Sequence, residues 1–323
     1  MRDFDHYRKL LLHEPRGYPC QNADFILPPT RPDAAYGVVI AEQGCIYPLM
    51  SGHNMMCVAT ALLESGMVQM VEPSTEFALD TPAGLVAVHA DCRAGKATRI
   101  TLRNAPAYCR PRDMDFEVDV PHHGKVRVDA VAYGGMHYVI VDAPSVGLTL
   151  QPSRGREICR LGEMIKVATR EQHPVDHPTL DYPGPDILVF REPPSTRDDG
   201  SLHARNAVVM SNGVLDWERP ETWTGMLDRS PCGTGTCAVM AYLHATGELA
   251  IGQPFVHESI VGTQFIGKLL ETTRITAAPA SAEDELVGVI PTVSGRAWIT
   301  AHSTIVLDPT DPFPEGYTVG DIW

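Results

Sequence analysis

The chain has 323 residues, and its 26 Lys plus Arg against 40 Asp plus Glu give a formal net charge of −14. Nucleic-acid binding rests on clustered Lys and Arg, so this balance argues against a nucleic-acid partner. The sequence has no stretch of about 18 apolar residues and no apolar secretory leader, so neither a membrane span nor a membrane partner is predicted. A hydrophobic fraction of 44% predicts a globular protein, and the length allows one large domain or two.

Cysteine usage is typical of a reducing compartment. Eight cysteines in a chain of this length are too few for a disulfide scaffold, and no CxxC pair supplies zinc-ribbon spacing. His122 and His123 also fit no pattern of metal ligands. We therefore predict a cytoplasmic protein without a metal site, in which most thiols are reduced and buried. The cysteines are Cys20, Cys45, Cys57, Cys92, Cys109, Cys159, Cys232 and Cys237.

Most predicted elements are short β-strands, because β-branched runs alternate with Gly, Pro and Asp. Only three segments show the residue spacing of a helix, and the turn-rich segment 191–205 predicts an exposed loop or hairpin. In chain order the elements are a strand at 36–41, a helix after 51–54, strands at 84–92, 97–104 and 136–143, a helix within 152–172, a strand at 205–211 and a helix after 232–236.

Residues 51–68 and 232–249 are similar to each other without a gap, 181 positions apart. Each segment opens with a small nucleophilic residue and Gly, runs for about three helical turns, and ends at Gly, the usual residue after a helix. This shared design predicts a duplicated lobe, although Val and Leu matches between two amphipathic helices also arise by coincidence. The matched pairs are Ser51 with Cys232, Gly52 with Gly233, Val58 with Val239, Leu62 with Leu243 and Gly66 with Gly247.

The two predicted helix starts have the chemistry of an anion site. A helix start exposes unpaired N–H groups with positive partial charge, and adjacent glycines let a ligand approach the backbone closely. Two such starts facing each other would bind a carboxylate. The same field lowers the pKa of a cysteine, so Cys232 is expected to be a thiolate base near neutral pH. Ser51 would be a far weaker base that needs help from its surroundings.

The context of each residue decides between a structural and a functional interpretation. Cys232 alone could be a small helix-cap residue, but the Gly-rich run DRSPCGTGT (228–236) is hard to explain by packing. His53 alone would more often be structural, and beside Ser51 at a helix start it becomes a substrate contact. Asp228 alone could cap a turn, and Cys237 is expected in the core.

Seven segments in order along nearly the whole chain resemble the proline racemase family, which includes hydroxyproline 2-epimerases and trans-3-hydroxy-L-proline dehydratases. The resemblance implies an α+β fold of two similar lobes, each a β-sheet wrapped around a central helix, as in diaminopimelate epimerase-like proteins. It also implies an active site between the helix starts and no cofactor, pyridoxal phosphate included. The segments are EPRG (14–17), MSGHN (50–54), AYGG (132–135), DRSPCGTGT (228–236), ESIVGTQFIG (258–267), SGRAWIT (294–300) and LDPTDPF (307–313).

The sequence departs from the family pattern in two places. The first catalytic cysteine of the family is Ser51 here, whereas the second is kept as Cys232, where dehydratases often carry Thr. Family members also usually have a longer segment, including a first strand, before the EPRG motif. Only 13 residues precede Glu14 here, so the first lobe is expected to lack an edge strand.

Carried over residue by residue, the resemblance places Ser51 and Cys232 on opposite faces of the substrate Cα. His53 and Asp228 would contact the ring nitrogen. We expect the first lobe to comprise residues 1–148 with 301–323 and the second lobe residues 149–300. The backbone N–H groups implied in carboxylate binding are those of Gly52, His53, Gly233 and Thr234.

These residues predict cofactor-independent removal of the Cα proton from hydroxyproline or proline. Inversion at C2 requires two acid–base groups, and the retained Cys232 and His53 favour 2-epimerisation of 4- or 3-hydroxyproline. Dehydration of trans-3-hydroxy-L-proline is the alternative, because elimination needs one base and Ser51 is a poor second one. A third hypothesis is a non-catalytic amino-acid-binding protein. The sequence leaves open whether the chain forms a homodimer.

Overall fold

The protein is described here by a computed structural model that covers residues 2–18, 21–42, 47–275 and 286–319. The chain forms two compact units, Met1–Leu102 with Gly295–Ile322, and Arg103–Ser294. None of the helices in the described ranges has the length and apolar content needed to cross a membrane.

Within its described residues, the first unit combines two α-helices with five strands. The strands are hydrogen-bonded in the order β1 to β5, with β2 and β3 parallel and the other neighbours among β1 to β4 antiparallel. Strands β4 and β5 also pair antiparallel. The elements are α1 (Asp5–Leu12), β1 (Ala23–Leu27), β2 (Tyr36–Ala41), α2 (Gly52–Glu64), β3 (Ser74–Thr81), β4 (Gly84–Arg93) and β5 (Lys96–Arg103).

The second unit contains a longer mixed sheet and two helices, α3 (Gly155–Gln172) and α4 (Gly233–Ala245). Its strands are β6 (Tyr108–Val120), β7 (Gly124–Tyr133), β8 (His137–Asp142), β9 (Val175–Asp176), β10 (Pro183–Gly184), β11 (Ile187–Arg191), β12 (Ser195–Thr196), β13 (Leu202–Ser211), β14 (Gly225–Leu227), β15 (Pro254–Glu258), β16 (Gln264–Ile275) and β17 (Leu286–Gly295). The order in the sheet is β17-β16-β15-β13-β11-β8-β7-β6.

This sheet curls around α4, which packs against β6, β7 and β8 near one end of the strand order and against β16 near the other. Helix α3 packs on β6, β11, β13 and β14. Side chains alternate between the two faces of a strand, so Val139 and Val141 of β8 join the core under α3, while Tyr138 faces α4. The predicted α+β fold, with a sheet wrapped around a helix, is confirmed.

Helices α2 and α4 match each other as the internal similarity predicts. Both have 13 residues, and their N-caps are Ser51 and Cys232. After each helix the chain turns at a glycine with positive φ, 78° at Gly66 and 80° at Gly247, where a side chain would be strained. Both helices are mostly buried, which suits a central position in each unit.

The compact units differ from the lobe boundaries expected from the sequence. Residues 103–148 were assigned to the first lobe, yet β8 pairs in parallel with β11, and β6 and β7 continue the same sheet. Strand pairing therefore places this segment with the second unit. The sequence prediction also lacks helix α1 and the β6–β7 hairpin, whereas the segment 191–205 does form a hairpin through β12 and β13.

Strand β1 carries a carboxyl group, that of Asp24, in a position largely shielded from water. The Asp24 Oδ1 atom is buried and accepts no hydrogen bond within the described residues. Burial raises the pKa of Asp24 to about 7, and the nearby carboxylate contributes to the raised pKa of Cys57 on α2. The folded protein therefore holds the Asp24 proton more tightly than the unfolded chain does.

We predict that Asp24→Asn stabilises the protein at alkaline pH. A raised carboxyl pKa makes stability fall as pH rises from about 4 to about 7. The full shift corresponds to roughly 4 kcal/mol, but residual solvent contact reduces it, so we expect a gain of about 1–3 kcal/mol at pH 8 and little change at pH 4. Urea denaturation at both pH values measures this, with the exposed Asp198→Asn as the control. An equal change in the free energy of unfolding at pH 4 and pH 8 would contradict the raised pKa of Asp24.

Candidate active site

The start of α2 is built around Ser51. The Ser51 carbonyl accepts the first hydrogen bond of the helix from Met55 N at 2.9 Å, while the Ser51 side chain caps no N–H group. The N–H groups of Gly52 and His53 lie before this first bond within the helix. Gly52 is buried, and Ser51 and His53 are half-buried. The first unit therefore presents a hydroxyl and an imidazole beside a helix start.

The start of α4 repeats this arrangement around Cys232, which is 9% exposed. The Cys232 carbonyl accepts hydrogen bonds from Thr236 N at 2.9 Å and from Thr236 Oγ1 at 2.6 Å. The N–H groups of Gly233 and Thr234 again lie before the first bond within the helix. The sequence-predicted residues of the second unit thus meet at one helix start.

The backbone at Cys232 adopts a left-handed conformation, with φ of 62° and ψ of 117°. For a residue with a side chain, such a conformation costs about 1–3 kcal/mol and persists only where the surroundings enforce it. Ser230 Oγ accepts from Cys232 N at 3.0 Å, and Asp228 Oδ1 accepts from Ser230 N at 2.7 Å. The buried Asn206 Nδ2 donates to the Pro231 carbonyl at 3.0 Å. These bonds fix the turn that carries the thiol.

A tyrosine that sequence reasoning missed contacts the thiol. Tyr138 Oη lies 3.2 Å from Cys232 Sγ and 2.6 Å from Thr234 Oγ1, and Tyr138 is fully buried. In the sequence, Tyr138 is one apolar position within the predicted strand 136–143. The alternation of side chains along the strand could have identified Tyr138, because it places Tyr138 on the face of β8 opposite the one that packs under α3.

The AYGG motif allows β7 to approach the same helix start. A Cβ atom on Gly134 would lie 2.2 Å from the Thr234 carbonyl oxygen and 2.4 Å from Ala238 N. A Cβ on Gly135 would lie 2.7 Å from the Thr234 side chain. Only glycine fits these positions, so the AYGG motif shapes this helix start.

The expectation of a Cys232 thiolate near neutral pH is wrong for the ligand-free protein. Burial raises the pKa of Cys232 to about 12, and the Asp228 carboxylate raises it further. The Tyr138 hydroxyl, the Gly235 N–H and the Thr234 hydroxyl lower this pKa, but less than burial raises it. The sequence shows that Cys232 stands at a helix start, which lowers the pKa of a thiol. It does not show how deeply the sulfur is buried, which raises that pKa.

The core position predicted for Cys237 has a direct structural counterpart. Cys237 is fully buried and its Sγ accepts from Asn104 Nδ2 at 3.2 Å, as expected for a core residue. The described cysteines are free, whereas Cys20 and Cys45 lie outside the described residues. Within the described ranges, no three or more His, Cys, Asp or Glu side chains are grouped as metal ligands.

Comparison with known proteins identifies relatives along the full chain. This chain is 42% identical over 320 residues to a 4-hydroxyproline 2-epimerase from Streptosporangium roseum. The match covers 98% of this chain and 87% of the relative. A hydroxyproline epimerase from Agrobacterium vitis, solved with bound trans-4-hydroxy-L-proline, is 34% identical with a TM-score of 0.82, covering 99% of this chain and 84% of that one.

A second solved structure agrees with these relatives. A probable proline racemase from Agrobacterium radiobacter K84, solved with bound carbonate, is 34% identical with a TM-score of 0.81 and covers 99% of this chain and 86% of that one. The proline racemase family model matches residues 1–318. The resemblance noted in the sequence is thereby confirmed, and the chain belongs to the proline racemase family.

Proposed function

We propose that the protein is a cofactor-independent epimerase that inverts C2 of 4-hydroxyproline. The observation that carries the proposal is the pair of matched helices that begin at Ser51 and Cys232, in a chain 42% identical to a 4-hydroxyproline 2-epimerase. The free thiols of the described cysteines favour a reducing compartment such as the cytoplasm.

Carboxylate binding is assigned to the N–H groups at the two helix starts. When the Cα proton leaves, its bonding electrons move into the carboxylate, which becomes enediolate-like. Fixed N–H donors stabilise this developing charge because they need no reorganisation during the reaction. Gly52 and His53 supply donors from α2, and Gly233 and Thr234 supply donors from α4.

Asp228 connects substrate binding to the acidity of Cys232. The negative Asp228 carboxylate raises the pKa of Cys232 in the ligand-free protein. A substrate ring ammonium paired with Asp228 offsets this charge, and the pKa of the thiol then falls. The thiolate forms when the substrate is in place to donate its Cα proton.

Proton exchange on the other face is assigned to Ser51. In one direction the Cys232 thiolate removes the Cα proton, and the Ser51 hydroxyl delivers a proton to the opposite face. His53, two residues along the helix start, supplies the proton that Ser51 gives up, since a free alkoxide would be too basic. The reverse reaction uses the same groups in exchanged roles.

The position of the substrate hydroxyl favours epimerisation over dehydration. A carbanion at C2 expels a leaving group from C3, and the hydroxyl of 4-hydroxyproline lies one carbon further away. Reprotonation of C2 is then the productive outcome. Dehydration becomes available only with a 3-hydroxyl substrate.

Incubation in D2O with each 3- and 4-hydroxyproline isomer, followed by NMR, tests the function. We expect trans-4-hydroxy-L-proline to give its C2 epimer with deuterium at Cα. Loss of a 3-hydroxyl would instead assign the protein as a dehydratase, and no change in any isomer would assign it as a binding protein.

We predict that Cys232→Ala reduces epimerisation by at least about 1000-fold, because a group that exchanges the Cα proton is lost. The fold should persist, since Ala meets the same backbone constraint. The matched control is Cys237→Ala on the same helix, which should lower thermal stability and keep activity. Turnover assays and circular dichroism measure both effects. Full activity in folded Cys232→Ala would remove the thiol from the mechanism.

We predict that Asp228→Asn weakens substrate binding about tenfold or more, through loss of the ring-ammonium pair. An Asn oxygen can still accept the hydrogen bond from Ser230 N, so stability should change by less than about 1 kcal/mol. Isothermal titration with trans-4-hydroxy-L-proline and thermal melting separate the two effects. An unchanged affinity would restrict Asp228 to its structural bond.

We predict that Ser51→Ala suppresses epimerisation strongly and leaves Cys232-driven deuterium exchange on one isomer. Ser51→Cys should raise racemase-type activity because it restores a matched thiol pair. NMR exchange rates of both epimers in D2O measure these outcomes. Equal epimerisation by Ser51→Ala and the parent would disprove the two-base mechanism, and selective loss of elimination from a 3-hydroxyl substrate would favour dehydration.

A further inference from the structure

We propose that Tyr138 and Thr234 form a two-hydroxyl relay that donates a hydrogen bond to Cys232 Sγ whenever the sulfur carries negative charge. Tyr138 is then a further catalytic residue, because its hydroxyl touches a reacting atom. The inference rests on the proposed function and concerns the side chains of Tyr138 and Thr234, apart from the backbone N–H groups already assigned to the carboxylate.

The geometry leaves the Tyr138 hydroxyl a choice between two acceptors. Its oxygen lies 2.6 Å from Thr234 Oγ1 and 3.2 Å from Cys232 Sγ, both within hydrogen-bond range for their atom types. A phenol has a single proton, so it can donate to only one of them strongly at a time. The direct Cys232 Sγ to Thr234 Oγ1 distance is 3.9 Å, so Tyr138 is the closer partner of the sulfur.

The charge on the sulfur decides the choice. Beside a neutral thiol, the Tyr138 hydroxyl donates to Thr234, its nearer acceptor. Beside a thiolate, the Tyr138 hydroxyl turns to the sulfur and the Thr234 hydroxyl donates to Tyr138 in its place. Both hydroxyl rotations keep every proton on its own oxygen, so no bond to hydrogen is made or broken in the relay.

Burial makes this switch effective. Tyr138 is fully buried and Thr234 is 6% exposed, so water does not compete for these bonds. Burial and the neighbouring Cys232 hold the pKa of Tyr138 well above its ordinary range, which keeps the phenol protonated as a donor. The Gly235 N–H also interacts with Cys232, and the thiolate therefore has one backbone donor and one side-chain donor.

Tyr138→Phe tests the relay, because it removes the hydroxyl and keeps the ring. We expect kcat for 4-hydroxyproline epimerisation to fall about 10- to 100-fold with KM within about twofold, as for the loss of a hydrogen bond to a charged group. The matched control is Tyr242→Phe on helix α4, a tyrosine whose hydroxyl lies 3.4 Å from Arg191 Nη2, and this variant should leave kcat unchanged. Equal kcat in both variants would overturn the relay.

A second readout needs no substrate turnover. The rate of Cys232 alkylation by iodoacetamide, followed by mass spectrometry, reports the thiolate fraction. We expect about tenfold slower labelling of Tyr138→Phe than of Tyr242→Phe between pH 7 and 9. Unchanged or faster labelling would contradict the proposal. This measurement stays valid if the parent protein fails to epimerise hydroxyproline, which would overturn the function and not the relay.

The second member of the relay supplies an independent pair of variants. Thr234→Val removes the hydroxyl at nearly constant volume, and Thr234→Ser keeps it. We expect Thr234→Val to label with iodoacetamide several-fold more slowly than Thr234→Ser, since Tyr138 then loses its own donor. Equal labelling of the two variants would remove Thr234 from the relay, and this comparison still decides the question if Tyr138→Phe does not fold.

Discussion

The left-handed backbone at Cys232 is the constraint on which the candidate site in the second unit depends. A cysteine adopts such a conformation only when neighbouring groups hold it there. The Pro231 carbonyl is held by the buried Asn206, the Cys232 carbonyl by Thr236 and the Cys232 N–H by Ser230. The buried His257 extends this support, because its Nδ1 lies 2.9 Å from Thr236 Oγ1.

Helices α2 and α4 match each other in length but begin at unlike residues, a serine and a cysteine. Helices α2 and α4 have equal length, and each is followed by an equivalent glycine, Gly66 or Gly247. At one start a half-buried hydroxyl stands beside an imidazole, and at the other a buried thiol stands beside two hydroxyls. The two helix starts therefore share their backbone arrangement and differ in their side chains.

Much of the fold followed from the sequence because period-two alternation and glycine positions are local signals. The three predicted helices and the five predicted strands are present, and the similarity at an offset of 181 residues located both central helices. Helix α1 was missed because it has only eight residues and its three leucines are consecutive rather than spaced along one helical face. The β6–β7 hairpin was missed although its alternating FEVDV and KVRVDAV segments carried a usable signal.

The candidate site was predictable in its residues and less so in its electrostatics. Cys232 and Asp228 are only four residues apart, so the sequence itself predicts that they lie close together. The contact between Cys232 and Tyr138 joins positions 94 residues apart and depends on the register of β8 against α4. The raised pKa of Cys232 depends on burial, which no local pattern records.

The depth of the Cys232 sulfur also has a consequence for oxidative damage. Peroxide attacks the thiolate, and burial raises the pKa of Cys232 to about 12, which keeps the thiol protonated at neutral pH. The idle enzyme is thereby shielded from conversion to the sulfenic acid. In the proposed mechanism substrate binding lowers the pKa of the Cys232 thiol, so the sulfur becomes open to oxidation only while substrate is bound.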